Sequence, residues 1–146
     1  MANGYNRNNN DSGEIKEIIN EINQVKMLSD ISEKQYADEN GYADIIAKNS
    51  KKLKTTQLRK FFGAVKLIEQ KESWDEIEVD FYLLKPQFAV AKGRKLIPSN
   101  FYKIMMALMR KVDVGSEEEK MKNFDTFVNF FESIVAYHKF HYPKEG

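Results

Sequence analysis

The chain has 146 residues and a mass of 17.1 kDa, room for one domain and hardly for two. Hydrophobic residues make up 42% and charged residues 31%, so a core can form without staples. Cysteine is absent, which excludes disulfides, thiolate zinc sites and cysteine nucleophiles together. The opening Met-Ala-Asn-Gly-Tyr-Asn has no apolar h-region, and no apolar run approaches the length of a membrane span. A cytoplasmic protein without membrane association is the expectation.

The net charge of +1 conceals an uneven distribution. Residues 1–40 carry four Lys/Arg against eight Asp/Glu, residues 41–111 carry fifteen against seven, and residues 112–146 carry four against seven. Between Asp44 and Glu69 there are seven cations and no acid, and between Asp80 and Asp113 there are seven more, again with no acid. Two acid-free basic stretches point to a polyanionic partner.

The first thirteen residues, with Asn3, Asn6, Asn8, Asn9 and Asn10, are expected to be a disordered tail. Residues 14–146 are expected to form a single helical domain. Ile15, Ile18, Ile19, Ile22 and Val25 make one narrow apolar stripe on a helix over 14–28. It is either a peripheral helix of the same domain or a docking helix for a partner. Residues 29–41 are polar and turn-like, ending in Asn40-Gly41. A helix over 42–53 buries Tyr42, Ile45, Ile46 and Leu53. Thr55 and Thr56 are N-cap candidates for the next helix, whose inner face is Leu58, Phe61, Phe62, Val65 and Ile68. A helix from Trp74 turns Ile77, Phe81 and Leu84 inward, with an acidic outer face of Asp75, Glu76, Glu78 and Asp80. At Lys85-Pro86 a kink or break is expected, because proline lacks the amide proton an inner turn requires. A short helix 87–91 and a stop at Gly93 would follow. Pro98-Ser99-Asn100 opens a helix with Phe101, Ile104, Met105, Leu108 and Met109 inward. Ser116 and Glu119 have capping-box spacing, and the last helix, about 117–141, buries Phe124, Phe127, Val128, Phe131, Ile134 and Val135. No segment alternates with period two for the length of a strand. The fold class is all-α, a compact bundle of about five to six helices with short connections.

Catalytic machinery is not legible. There is no glycine-rich phosphate loop, no G-x-S-x-G and no H-E-x-x-H. The only histidines, His138 and His141, lie three apart near the end of the last helix, where no neighbouring acid completes a metal site. A helix C-terminus favours such side chains as caps. No enzyme and no cofactor is expected. Arg59 and Lys66, seven apart, share one helical face with Gly63 between them. A glycine there allows close approach either of a sugar-phosphate backbone or of a neighbouring helix. Lys103 and Arg110 are also seven apart on an outer face. Most aromatics fall on inward stripes, which favours recognition of a nucleic-acid backbone over base stacking.

Three stretches occur in order: Thr55-Thr56-Gln57-Leu58-Arg59-Lys60-Phe61-Phe62, then Leu84-Lys85-Pro86-Gln87-Phe88-Ala89-Val90-Ala91-Lys92-Gly93-Arg94, then Phe131-Glu132-Ser133-Ile134-Val135-Ala136-Tyr137-His138-Lys139-Phe140. Together, over roughly residues 42–142, they resemble the small subunit of the type III-A (Csm) CRISPR effector complex. The resemblance implies a non-catalytic, all-helical protein that lines a ribonucleoprotein filament in several copies. It implies contacts with guide (CRISPR) RNA and target RNA, with the large polymerase-like subunit and with the backbone subunits. By motif it carries RNA contact to Arg59 and Arg94. Lys66 follows from its helical position, with Lys52, Lys54, Lys92 and Lys103 as additions, and the Phe131–Phe140 stretch is read as hydrophobic anchoring. The rival reading is a helical protein–protein adaptor whose basic face takes an acidic partner. Whether the isolated protein forms a homodimer is left open.

Overall fold

The computed structural model describes residues 2–144, with side chains from Gly13 onward. The stretch expected to be a disordered tail lies largely outside those described side chains. The described residues form seven α-helices: α1 (Ala2–Gln24), α2 (Glu33–Ala37), α3 (Tyr42–Lys48), α4 (Thr55–Glu69), α5 (Trp74–Gly93), α6 (Ser99–Arg110) and α7 (Glu117–His141). A 3₁₀ turn, Leu28–Asp30, joins α1 to α2. No strand occurs among the described residues, and the all-α class is as expected.

The longest helix, α7, is the axis of the bundle. Phe127 and Phe131 face α4, α5 and α6, while Phe130 packs on Tyr36 and Tyr42 on the other side, so the helix buries aromatics in two directions. Ring contacts run unbroken from Phe61 through Phe88, Phe101 and Phe131 to Phe127 and Phe81. Centroids 4.3–6.4 Å apart in stacked or edge-on geometry suit the quadrupoles of the rings. Ile15, Ile18 and Ile22 of α1 are buried in this same core, where α1 lies on α6 and α3.

Four local expectations are corrected. Residues 29–41 are not merely a polar turn: Ile31 and Tyr36 are buried, α2 lies inside the stretch, and Ser32 and Gln35 form a capping box at its start. Tyr42 and Ile45 are only partly buried, and α3 stops at Lys48, leaving Leu53 buried from a turn. Neither threonine caps α4. Lys54 is the N-cap, without a side-chain bond, and Thr55 is buried in the first turn. Finally, α5 runs straight through Pro86 as one 20-residue helix. The ring removes the hydrogen bond to the Tyr82 carbonyl, but Tyr82 and Pro86 are exposed, so water reaches the freed oxygen. Meanwhile Phe81, Leu84, Phe88 and Ala91 keep one continuous buried face across the position. Packing outweighs the local defect.

The histidines are also not simple C-caps. His138 is fully buried with Nε2 3.2 Å from the Ser50 carbonyl, and His141 Nε2 lies 2.6 Å from Asp44 Oδ1. Tyr137 donates to the Ala37 carbonyl and Tyr142 to that of Lys48. The end of α7 is thereby laced to α2, α3 and the turn after it.

Two carboxylates tie such contacts to pH. Partial burial pushes the Asp44 carboxyl up, but the Asn40 amide and the His141 ring outweigh it and hold it below its ordinary value. Burial likewise opposes, and Tyr82 and Lys120 together overcome, at Asp113, which is also lowered. A folded-state pKa below the unfolded one gives stability that is present above about pH 3.9 and disappears as pH falls through the lowered value. Thermal melts are expected to drop below about pH 4. Asp44→Asn and Asp113→Asn should each flatten that acid limb. An acid limb unchanged in both variants would show that other groups drive it.

Candidate nucleic-acid interface

All seven predicted contact residues (Lys52, Lys54, Arg59, Lys66, Lys92, Arg94 and Lys103) are exposed. They do not form one surface. The elements that carry them sort five of them into three places and leave Lys103 and Lys54 apart.

The first lies on α4. Its buried residues Leu58, Phe61, Val65 and Ile68 fix the opposite side toward solvent, and Arg59, Gly63 and Lys66 lie there. A Cβ at Gly63 would meet nothing within 4 Å, so no neighbouring helix approaches closely and the packing explanation for this glycine falls. Lys66, however, is not a free cation. Its Nζ sits 2.7 Å from Glu69, whose hydrogen bond and charge, with help from Glu132, raise the lysine pKa. The acid that ends the basic stretch in sequence thus folds back one turn onto its last lysine.

The second is the groove between α4 and α5. Arg94, the C-cap of α5, lines a cavity of about 300 Å³ with Gln57, Lys60, Pro86, Val90 and Leu96. Lys60 is the cation sequence reasoning did not select here. It is four residues past Thr56 on the same side of α4.

The third is a cleft where the α5–α6 turn meets the turn before α4. Lys52, Lys92 and Lys95 line it with Ile97, Pro98 and Ser99 at the start of α6, and no acid takes part. Lys92 also sits 5.0 Å from the Tyr102 ring, a cation–π distance. The N-terminal amides of α6 add partial positive charge to the same cleft. Lys95 was missed as a site residue, yet its backbone singles it out. The Leu96 amide donates to Ala91 and the Lys95 amide to Lys92, a Schellman closure, and Lys95 occupies the left-handed position at φ 62°. Glycine is the usual residue there, and Gly93 lies two positions too early to serve. Lys103 and Arg110 stand together on the outer side of α6 beside Ile19, and Lys54 remains at the start of α4.

Among the described residues no group of three or more His, Cys, Asp or Glu side chains is placed to hold a metal ion, and no helix is long and apolar enough to cross a membrane. What the surface offers is exposed cations on an all-helical frame. Residues 33–144 match the family described as Csm2 Type III-A. The chain belongs to that family, the small subunits of the type III-A CRISPR Csm complex. No curated protein and no solved structure gives a significant match.

Proposed function

We propose that the chain is the non-catalytic, RNA-binding structural subunit of a type III-A interference ribonucleoprotein, acting in the cytoplasm. It neutralises phosphates of guide and target RNA and contacts the large polymerase-like subunit and the backbone subunits. Cleavage falls to those neighbours. The observation that carries this reading is the acid-free cleft of Lys52, Lys92 and Lys95. Three lysines from two distant segments converge there, and one holds a backbone conformation that costs a non-glycine residue about 1 kcal/mol. Such an outlier is retained where the side chain is needed. Binding through the backbone makes the affinity independent of sequence and steeply salt-dependent.

Lys95→Gly separates the two roles of that residue. It should raise stability by about 0.5–1 kcal/mol in urea unfolding, because glycine adopts the left-handed position without strain. It should at the same time weaken binding of a single-stranded RNA and lower the log–log salt slope by about 0.7, one phosphate contact. The triple Lys52→Glu/Lys92→Glu/Lys95→Glu variant should lose at least about tenfold in affinity at low salt, at an unchanged helical circular dichroism spectrum. Wild-type affinity and slope in the triple variant would remove the cleft from the RNA path.

A further inference from the structure

The chain contains two Asn-Gly pairs, Asn3-Gly4 and Asn40-Gly41, and the second makes the tight turn between α2 and α3. The fold demands both residues of that turn. Asn40 stands in the left-handed region at φ 62°, which asparagine tolerates better than most side chains. Gly41 lies so close to the end of α2 that an added Cβ would sit 2.7 Å from the Gln35 carbonyl oxygen and 2.8 Å from that of Asp38. Glycine alone has room for that approach. Two hydrogen bonds close the turn. The Asn40 backbone amide donates to Asp44 Oδ2 at 2.8 Å, and the Gly41 amide donates to the Asp38 carbonyl, also at 2.8 Å. The Asn40 side chain is exposed and its amide takes part in no hydrogen bond among the described residues, so nothing holds its Cγ away from the Gly41 nitrogen.

We propose that Asn40 is a site of spontaneous deamidation whose rate is set by opening of this turn. The Gly41 backbone nitrogen gives up its proton and bonds to Asn40 Cγ. The bond from Cγ to Nδ2 breaks, and that nitrogen takes up a proton and leaves as ammonia, which closes a succinimide ring. Water then opens the ring at one of its two carbonyls. Opening at Cγ gives aspartate, and opening at the main-chain carbonyl gives isoaspartate, with the chain running through Cγ. The net change is an O for an NH, and no oxidant or cofactor is needed. Glycine in second place carries no Cβ to shield the attacking nitrogen. In the closed turn, however, the proton on that nitrogen is donated to Asp38 and Asp44 pins the Asn40 amide, so the reaction waits for local opening. The isoaspartate product does not fit back. It lengthens the main chain by a methylene beside a glycine that has no space for one. A turn that stays open loosens Asp44, which holds His141, and the Ala37 carbonyl, which accepts from Tyr137. The end of α7 then loses two of its ties.

The reaction needs no partner, so its test stands apart from RNA binding. The full chain is aged at mildly alkaline pH, folded and in denaturing urea, and peptide mapping by mass spectrometry follows each Asn-Gly pair. Chromatography separates the isoaspartate peptide from the aspartate one. In urea both pairs should convert. In the folded chain Asn40 should convert at least about tenfold more slowly than in urea, because the turn is closed most of the time. Asp44→Ala removes the acceptor for the Asn40 amide. It should speed conversion at Asn40 at least about threefold in the folded chain and leave the rate in urea unchanged. Helicity by circular dichroism shows that each variant is folded. Asn40→Gly keeps the left-handed position and has no side-chain amide to lose. It should age without conversion at this turn, and without the fall in urea midpoint expected of the isoaspartate form of the wild type. Equal rates at Asn40 in the folded chain and in urea would overturn the proposal. So would an unchanged rate in folded Asp44→Ala, or an isoaspartate form as stable as the fresh protein.

Discussion

Phe131→Ala is expected to cost about 3–5 kcal/mol, enough to lower the melting temperature by roughly 10–20 °C. Phe131 is fully buried and touches the rings of Phe62 on α4, Phe101 on α6 and Phe127 one turn away on α7. Truncation removes the apolar surface of the ring and leaves a void bordered by three aromatics from three helices. Those helices hold one another's spacing, so the gap cannot close by the shift of a single side chain. Total stabilities of small domains are about 5–15 kcal/mol, so the variant should unfold at markedly lower urea. Phe140→Ala is the control from the same helix. Phe140 is 75% exposed, against its sequence reading as part of a hydrophobic anchor, and its loss should stay within about 0.5 kcal/mol. Urea melts of the two variants measure the contrast. Equal effects would mean that α7 is seated otherwise than described.

That contrast also shows where the sequence was readable. The inner faces of α4, α6 and the middle of α7 repeat every three or four residues against polar neighbours, and Leu58, Phe61, Val65, Phe101, Ile104, Leu108, Phe124, Phe127 and Phe131 are all buried as their periodicity predicts. The capping box at Ser116 forms as its spacing demands, with both hydrogen bonds present. Periodicity fails where burial is not periodic. Leu28, Ile31 and Tyr36 are buried at irregular intervals from a 3₁₀ turn, a connector and a five-residue helix. It fails again where a helix is apolar on two sides. Phe130 looks like a surplus hydrophobe until Tyr36 and Tyr42 are placed around it.

Proline and the histidines went astray for a different reason: local rules were outvoted by distant partners. Pro86 is a breaker in isolation, but the buried residues on either side of it hold α5 together. His138 and His141 find their partners 88 and 97 positions away, at Ser50 and Asp44. The candidate site follows the same logic. Two acid-free stretches were visible as composition, and the cations they contain are exposed. Which of them meet is a matter of topology. Lys52 joins Lys92 and Lys95 because the turn before α4 returns to the start of α6, whereas Lys66 is claimed by Glu69.

Asn123 is the strongest case of a residue that spacing alone could not reveal, and replacing it should be nearly as damaging as removing Phe131. It is fully buried on α7, and its side-chain amide satisfies three backbone groups from two other segments. The Ser29 amide donates to Oδ1 at 2.9 Å, and Nδ2 donates to the carbonyls of Val112 and Val114 at 3.0 and 3.2 Å. One side chain thus fastens the 3₁₀ turn and the α6–α7 connection to the first turns of α7. Asn123→Leu fills the same space but orphans all three groups. At about 1–3 kcal/mol for each buried group, reduced where the Ser29 and Val114 ends reach solvent, the sum is about 3–4 kcal/mol. Asn123→Asp keeps the acceptor for Ser29 and replaces the two donors with a carboxylate facing two carbonyl oxygens. Burial and that repulsion raise the pKa of the new carboxyl above its unfolded value of about 3.9. The deficit relative to wild type should therefore be greatest at pH 7. It should shrink as pH falls toward about 5, where protonation restores one donor. Urea unfolding of both variants at pH 5 and 7 decides the matter. A cost below about 1 kcal/mol for Asn123→Leu, or a pH-independent deficit for Asn123→Asp, would mean that the three backbone groups find other partners.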